Sequence, residues 1–138
     1  MNKAAARPIL VIGLGCQRGC PALVLRGLIE VTLVEHQLAL SDITALASID
    51  SKSTEPGLLE LAEELGLPLY FFSAQEMAAF EPQLTHRSLI AFDTTGCYGV
   101  AESAALALAT RLAGCTSRLL IERRNSSRAT FALATAAI

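Results

Sequence analysis

Hydrophobic and polar positions fall into alternating short runs and helical stripes. Ile9 to Leu14 is a continuous apolar run, β-branched at three of its first four positions and closed by Gly13 and Gly15. It predicts a fully buried strand. Pro21 is placed to open a helix, because proline is tolerated in a first turn whose N–H groups have no helical partner. That helix is predicted to run to about Leu38, with Val24, Leu25, Leu28, Ile29 and Val31 giving a broad apolar face. Ile43 to Ile49 is a second short apolar run. Ser53 or Thr54 is expected to cap the next helix, with Glu55 and Pro56 in its first turn. Leu58, Leu61, Ala62 and Leu65 then form one stripe, Glu60, Glu63 and Glu64 face away, and Gly66 and Pro68 stop the helix.

Leu69 to Phe72 predicts a third strand, and Ser73-Ala74-Gln75-Glu76 is a capping box opening a short helix that ends near Phe80. Residues 81–98 follow no period. Val100 to Leu112 predicts a helix with Ala101, Ala104, Ala105, Leu108 and Leu112 on one side, ended by Gly114. Arg118 to Glu122 and Arg128 to Thr135 predict a hairpin around Asn125-Ser126-Ser127. Residues 1–7 are expected to fray. Strands that alternate with helices and close on a hairpin predict a three-layer α/β/α fold, built as one domain over residues 1–138. Its sheet is expected to be mixed, mostly parallel, and to end in a C-terminal β-hairpin.

Composition narrows the classes. The chain has 138 residues, 52% of them hydrophobic and 17% charged, with a net charge of −2. Leu and Ala, 23 of each, make up a third of it, while aromatics are 5% and Trp is absent. So much apolar side chain and so little charge exclude a disordered chain. No apolar run approaches the roughly 18 residues of a membrane span. The acidic balance and few stacking rings argue against nucleic acid as a partner. Cys16, Cys20, Cys97 and Cys115 lack zinc-site spacing and are expected to be mostly buried, reduced thiols of a cytoplasmic protein, with no metal and no cofactor. The stretch from Met1 to Cys16 has the outline of a lipoprotein signal. Its apolar run is short, Gly13 stands where Leu is usual, and a first strand is the better reading.

In an open α/β sheet, ligands bind beyond the carboxyl ends of the parallel strands. Three loops occupy such positions: Gly13 to Gly19, Asp50 to Glu55, and Ser73 to Glu76. Each is polar or glycine-rich and leads into a helix, whose free N–H groups suit carboxylates or phosphates. Arg18 and Lys52 add full charges. The first loop is not a dinucleotide fingerprint, because Arg18 stands where the third glycine belongs. Asp50 and Glu55 suit either acid–base chemistry or the capping of a turn. Ser73 reads as a cap rather than a nucleophile. Glu102 fits dipole complementation and catalysis equally. His36 and His86 fall outside the strand-end loops, leaving a Ser–His or Cys–His arrangement without support. Arg118, Arg123, Arg124 and Arg128 cluster around the hairpin, as a solvated face or a second anchor for an acidic ligand.

The same loops carry a resemblance. Val-Ile-Gly-Leu-Gly-Cys-Gln-Arg-Gly-Cys (11–20), Ala-Ser-Ile-Asp-Ser-Lys-Ser-Thr-Glu-Pro-Gly-Leu-Leu-Glu-Leu-Ala (47–62), Leu-Tyr-Phe-Phe-Ser-Ala-Gln-Glu-Met (69–77) and Gly-Cys-Tyr-Gly-Val-Ala-Glu-Ser-Ala-Ala-Leu (96–106) follow one another in order. Together they resemble the CobE family of cobalamin-biosynthesis proteins, which is similar to the C-terminal domain of the cobalt-precorrin-5A hydrolase CbiG. Gln17 and Cys20 depart from the family's commonest pattern, and Arg123 and Asn125 stand where it often carries two lysines. The resemblance implies a polycarboxylated precorrin-type ligand, in an accessory or carrier role on the aerobic route, with other cobalamin-biosynthesis enzymes as further partners. It implies roles near that ligand for Gly13, Gly15, Cys16, Arg18, Gly19, Asp50, Lys52, Glu55, Ser73, Glu76, Gly99 and Glu102, while Arg123, from the basic cluster at the hairpin, is a further ligand-binding candidate. The hydrolase opens a ring lactone and releases a two-carbon fragment. By that likeness Asp50, Glu55 or Glu102 would be the base, in an alternative reading as a hydrolase or deacylase of a precorrin-5-type intermediate. A phosphate-binding domain outside this pathway is the generic third reading.

Overall fold

The computed structural model describes residues 8–136; the N-terminal segment expected to fray lies outside them. Five strands form one sheet: β1 (Ile9–Cys16), β2 (Ala45–Ile49), β3 (Leu69–Phe72), β4 (Arg118–Asn125) and β5 (Ala129–Ala136). Their order is β3-β2-β1-β5-β4. β1 pairs in parallel with β2, and β2 with β3, while β5 runs antiparallel to both β1 and β4. The sheet is therefore mixed, with two parallel and two antiparallel pairings rather than a parallel majority, and the terminal hairpin inserts its second strand beside β1.

The continuous apolar run of β1 is explained by burial on both faces. Leu10, Ile12 and Leu14 join one core cluster with Leu25, Ile29 and Leu33 of α1 (Ala22–Glu35) and Leu58 and Leu61 of α2 (Pro56–Leu65). Ile9 and Val11 join the other with Ala104, Ala105 and Leu108 of α5 (Val100–Ala113) and with Met77 of the short α3 (Ala74–Met77). The three layers follow from these two clusters. On the α5 side the facing residues are small: Ala45, Ala47, Ala134 and Ala136 from the sheet, Ala104, Ala105 and Ala109 from the helix. Gly13 completes this close approach, since a Cβ there would stand 1.9 Å from the Ala101 carbonyl oxygen and 2.8 Å from the Ala105 nitrogen. The abundance of alanine is the price of a helix lying this close to its sheet.

Several boundaries differ from expectation. α1 stops at Glu35 rather than near Leu38, and Gln37 takes a positive φ of 57° beyond it. Val31 is 57% exposed, so the inward face of α1 is the one carrying Leu25, Ile29, Thr32 and Leu33. Neither Ser53 nor Thr54 caps α2. Glu55 is its cap residue and Pro56 its first helical residue, because the 3₁₀ turn Asp50–Lys52 and the turn after it take up Ser53 and Thr54. The irregular stretch 81–98 holds a further helix, α4 (Leu89–Thr95), capped by the Ser88 hydroxyl, which accepts the Ala91 N–H at 3.1 Å. Seven residues are too few to print a period. Leu112 is 38% exposed, because the last turn of α5 turns Ala113 and not Leu112 toward the core.

Candidate functional site

A cavity of about 740 Å³ opens beyond the carboxyl ends of β1 and β4. Five segments build it. The end of β1 and its loop supply Gly15 to Arg18, and Lys52 reaches in from the turn after β2. The start of α5, from Gly99 to Glu102, forms a third side, and α4 with Tyr98 a fourth. Arg123 and the hairpin from Asn125 to Thr130 close the ring. At Gly15 a Cβ would stand 2.6 Å from the Thr130 hydroxyl, so glycine keeps this part of the cavity clear.

The loop after β1 is tied to the hairpin. The Gln17 N–H donates to the Arg128 carbonyl at 2.9 Å, and Arg128 Nη2 donates to the Gly19 carbonyl at 3.0 Å. Glu55, only 8% exposed, uses Oε2 to accept the Gly19 N–H at 2.9 Å. Arg18, Lys52, Arg123 and Arg128 thus converge on one opening. Cys16 also lines it. Burial pushes its thiol up to about 11, against the opposing pull of Lys52. A thiol held that high is protonated near neutrality and is a poor nucleophile.

Glu102, 1% exposed, is the acid at the first turn of α5. Its Oε1 accepts the Thr85 N–H at 2.9 Å and, more distantly, the His86 N–H at 3.4 Å. Its Oε2 accepts the Arg123 N–H at 2.9 Å and the Thr85 hydroxyl. The His86 ring lies 3.9 Å away. A buried carboxylate is tolerable only when its lone pairs are met in this way. Here it fastens both the segment before α4 and β4 to the start of α5.

The expected site residues therefore divide. Gly15, Cys16, Arg18, Lys52, Gly99, Glu102 and Arg123 line the cavity. Gly13 lies beneath it as a packing residue against α5, and Gly19 and Glu55 bond to each other beside it. Asp50, exposed in its 3₁₀ turn, does not line it. Ser73 and Glu76 do not line it either, and their polar atoms are spent on each other: the Glu76 N–H donates to the Ser73 hydroxyl at 3.0 Å and the Ser73 N–H to Glu76 Oε1 at 2.8 Å. Those bonds, with Arg111 at 3.5 Å, lower the Glu76 carboxyl below its ordinary range. The four cysteines are thiols, with Cys20 and Cys97 buried, Cys16 partly so and Cys115 exposed. No metal-holding group of three or more His, Cys, Asp or Glu occurs among the described residues. No described helix is long and apolar enough to cross a membrane.

The α4–Tyr98 wall was not foreseen. Tyr98 stacks on Phe92 with ring centroids 4.4 Å apart, and Ile90 stands 81% exposed at the cavity. The available signal was Ser88 and Gly96 bracketing seven residues, the two caps of a helix too short to show a stripe.

Fold and cavity together define an α/β domain with a cation-rimmed, strand-end cavity of small-molecule size. The chain belongs to the family described as cobalamin synthesis G C-terminus, whose pattern matches residues 10–134, and so to the proteins of cobalamin biosynthesis. It is 39% identical over 125 residues to the protein CobE of a Sinorhizobium species, a match covering 91% of this chain and 79% of that one. It is also 39% identical over 106 residues to the cobalt-precorrin-5A hydrolase of Priestia megaterium, covering 76% of this chain but 28% of the hydrolase. Among solved structures, that of CobE from the cobalamin pathway superposes with a TM-score of 0.90 at 47% identity, covering 94% of this chain and 91% of that one.

Proposed function

We propose that this protein holds a polycarboxylated, precorrin-type macrocycle in the strand-end cavity, in an accessory or carrier role within cobalamin biosynthesis. The observation that carries this reading is the imbalance of charge at the cavity. Four cationic side chains line it, and its single carboxylate, Glu102, is fully engaged by main-chain and hydroxyl donors. A ligand bearing several carboxylates meets that demand by charge-assisted hydrogen bonds. The apolar side, with Ile90, Ala91 and Tyr98, suits the flat ring. Other cobalamin-biosynthesis enzymes are the natural donors and recipients of such a cargo.

Hydrolysis of the ring lactone is less well supported. A general base needs a carboxylate within reach of water or substrate. Glu55 and Glu102 are committed to Gly19 and to Thr85 and Arg123, and Asp50 is not part of the lining. The chain also spans 28% of the hydrolase it resembles.

Titration with a metal-free corrinoid polycarboxylic acid, followed by its absorption spectrum and by co-elution on gel filtration, tests the reading. Binding is expected, weakened by raised salt. Lys52→Ala and Arg18→Ala are each expected to weaken it several-fold, by roughly 1 kcal/mol. Absence of a spectral shift and of co-elution would sink the proposal. Recovery of the lactone-bearing ligand with an altered mass would favour the hydrolase reading instead.

A further inference from the structure

β4 does not run evenly beside β5. Ile121 pairs with Leu133 and Arg124 with Phe131, so Glu122 and Arg123 together stand opposite the single residue Ala132. Such a bulge frees a main-chain N–H from the ladder and re-aims a side chain. The Arg123 N–H is the one that Glu102 accepts, at 2.9 Å. The side chain so directed lines the cavity, and its Nε is buried without a hydrogen-bond partner among the described residues. No other side-chain nitrogen or oxygen among them is left in that state. A buried guanidinium N–H without an acceptor is costly, and such a group at a cavity wall calls for a water, an ion or a ligand group that meets it.

We propose that Arg123 is a specificity-determining residue that receives one carboxylate of the ligand in the cavity wall, and that Glu102 is the positioning residue that holds the β4 bulge to aim it. This deepens the binding reading above and rests on it. Arg18, Lys52 and Arg128 supply charge that any polyanion would feel. Arg123 supplies geometry: Nε and a terminal nitrogen present a planar fork that matches a carboxylate through two parallel hydrogen bonds. Lysine offers a single point charge and lacks that fork. The consequence is discrimination between a free carboxylate and its amide at one position of the macrocycle, since an amide adds donors where the fork needs an anionic acceptor.

The test compares the wild type with Arg123→Gln, Arg123→Lys and Lys52→Gln. Each is titrated at high salt with the metal-free corrinoid polycarboxylic acid and with its amidated counterpart, after unchanged circular dichroism has shown that it is folded. Both Arg123 variants are expected to lose affinity for the acid by about tenfold to a hundredfold, the range for a charge-assisted hydrogen bond, and to lose the preference for acid over amide. Lys52→Gln should keep that preference, because high salt screens a half-buried point charge that presents no paired hydrogen bonds. Wild-type affinity in Arg123→Lys would overturn the proposal, since charge alone would suffice. So would an undiminished acid preference in Arg123→Gln. If the wild type binds neither ligand, the binding reading itself falls and this inference with it, an outcome distinct from binding that ignores Arg123.

Discussion

The two faces of the sheet are packed in different ways. Against α1 and α2 the filling is large: Leu10, Ile12, Leu14, Leu58, Leu61 and Phe131 interdigitate. Against α5 it is small: alanines from both sides, with Gly13 letting the helix backbone approach the strand. The first arrangement obtains its stability from apolar area and tolerates distance. The second trades bulk for position. It brings the first turn of α5 to the end of β1, where Gly99, Val100, Ala101 and Glu102 become part of the cavity. One face stabilises the domain, while the other both stabilises it and builds the site.

Substitutions should separate these roles. The largest effect is expected for Leu58→Ala, fully buried on the large-residue face. Chemical denaturation should show a loss of about 2–5 kcal/mol, while ligand affinity in the folded fraction stays at the wild-type value. Gly13→Ala is expected to cost about 1–3 kcal/mol by overpacking against backbone that cannot swing aside. It should also weaken binding, because α5 has to move. Loss of stability with intact affinity in Gly13→Ala would break the comparison.

Ser73→Ala removes a cap from the loop after β3 and should cost about 1 kcal/mol in the same denaturation measurement. Affinity should not change, which separates this self-satisfied loop from the charged loop after β1. The smallest effect concerns pH. The Cys16 thiol is raised in the folded state from 9.0 to about 11, so between those values the unfolded chain loses its proton first. Its contribution is fully present below pH 9 and declines as pH rises toward 11. Melting curves across that window should fall less steeply for Cys16→Ala than for the wild type.

Much of this organisation is legible in the amino-acid order. β1, α2, β3, the Ser73–Glu76 box and α5 follow from local periods and caps, because each is specified by residues a few positions apart. The anion-friendly loop at Gly15–Arg18 and the cation at Lys52 follow from where those elements end. The strand order does not, since nothing in the β5 sequence announces that it enters between β1 and β4. The role of Glu102 was equally hidden. An acid in a first helical turn looks like dipole complementation until the fold brings Thr85 and Arg123, 17 and 21 residues away, onto its oxygens. Ser73 is legible as a cap from its own box, but only the fold shows that this box lies off the cavity while Arg18 lines it.

The central claim is that the cavity between the β1 loop, α4, the start of α5 and the hairpin is where an anionic macrocycle is held. Amide hydrogen exchange, measured with and without saturating metal-free corrinoid polycarboxylic acid, tests this directly. The account predicts slowed exchange in residues 15–18, 88–102 and 123–130, with residues 73–77 and the outer faces of α1 and α2 unchanged. Protection centred on residues 73–77 or on α1 and α2, with the cavity segments unaffected, would contradict it.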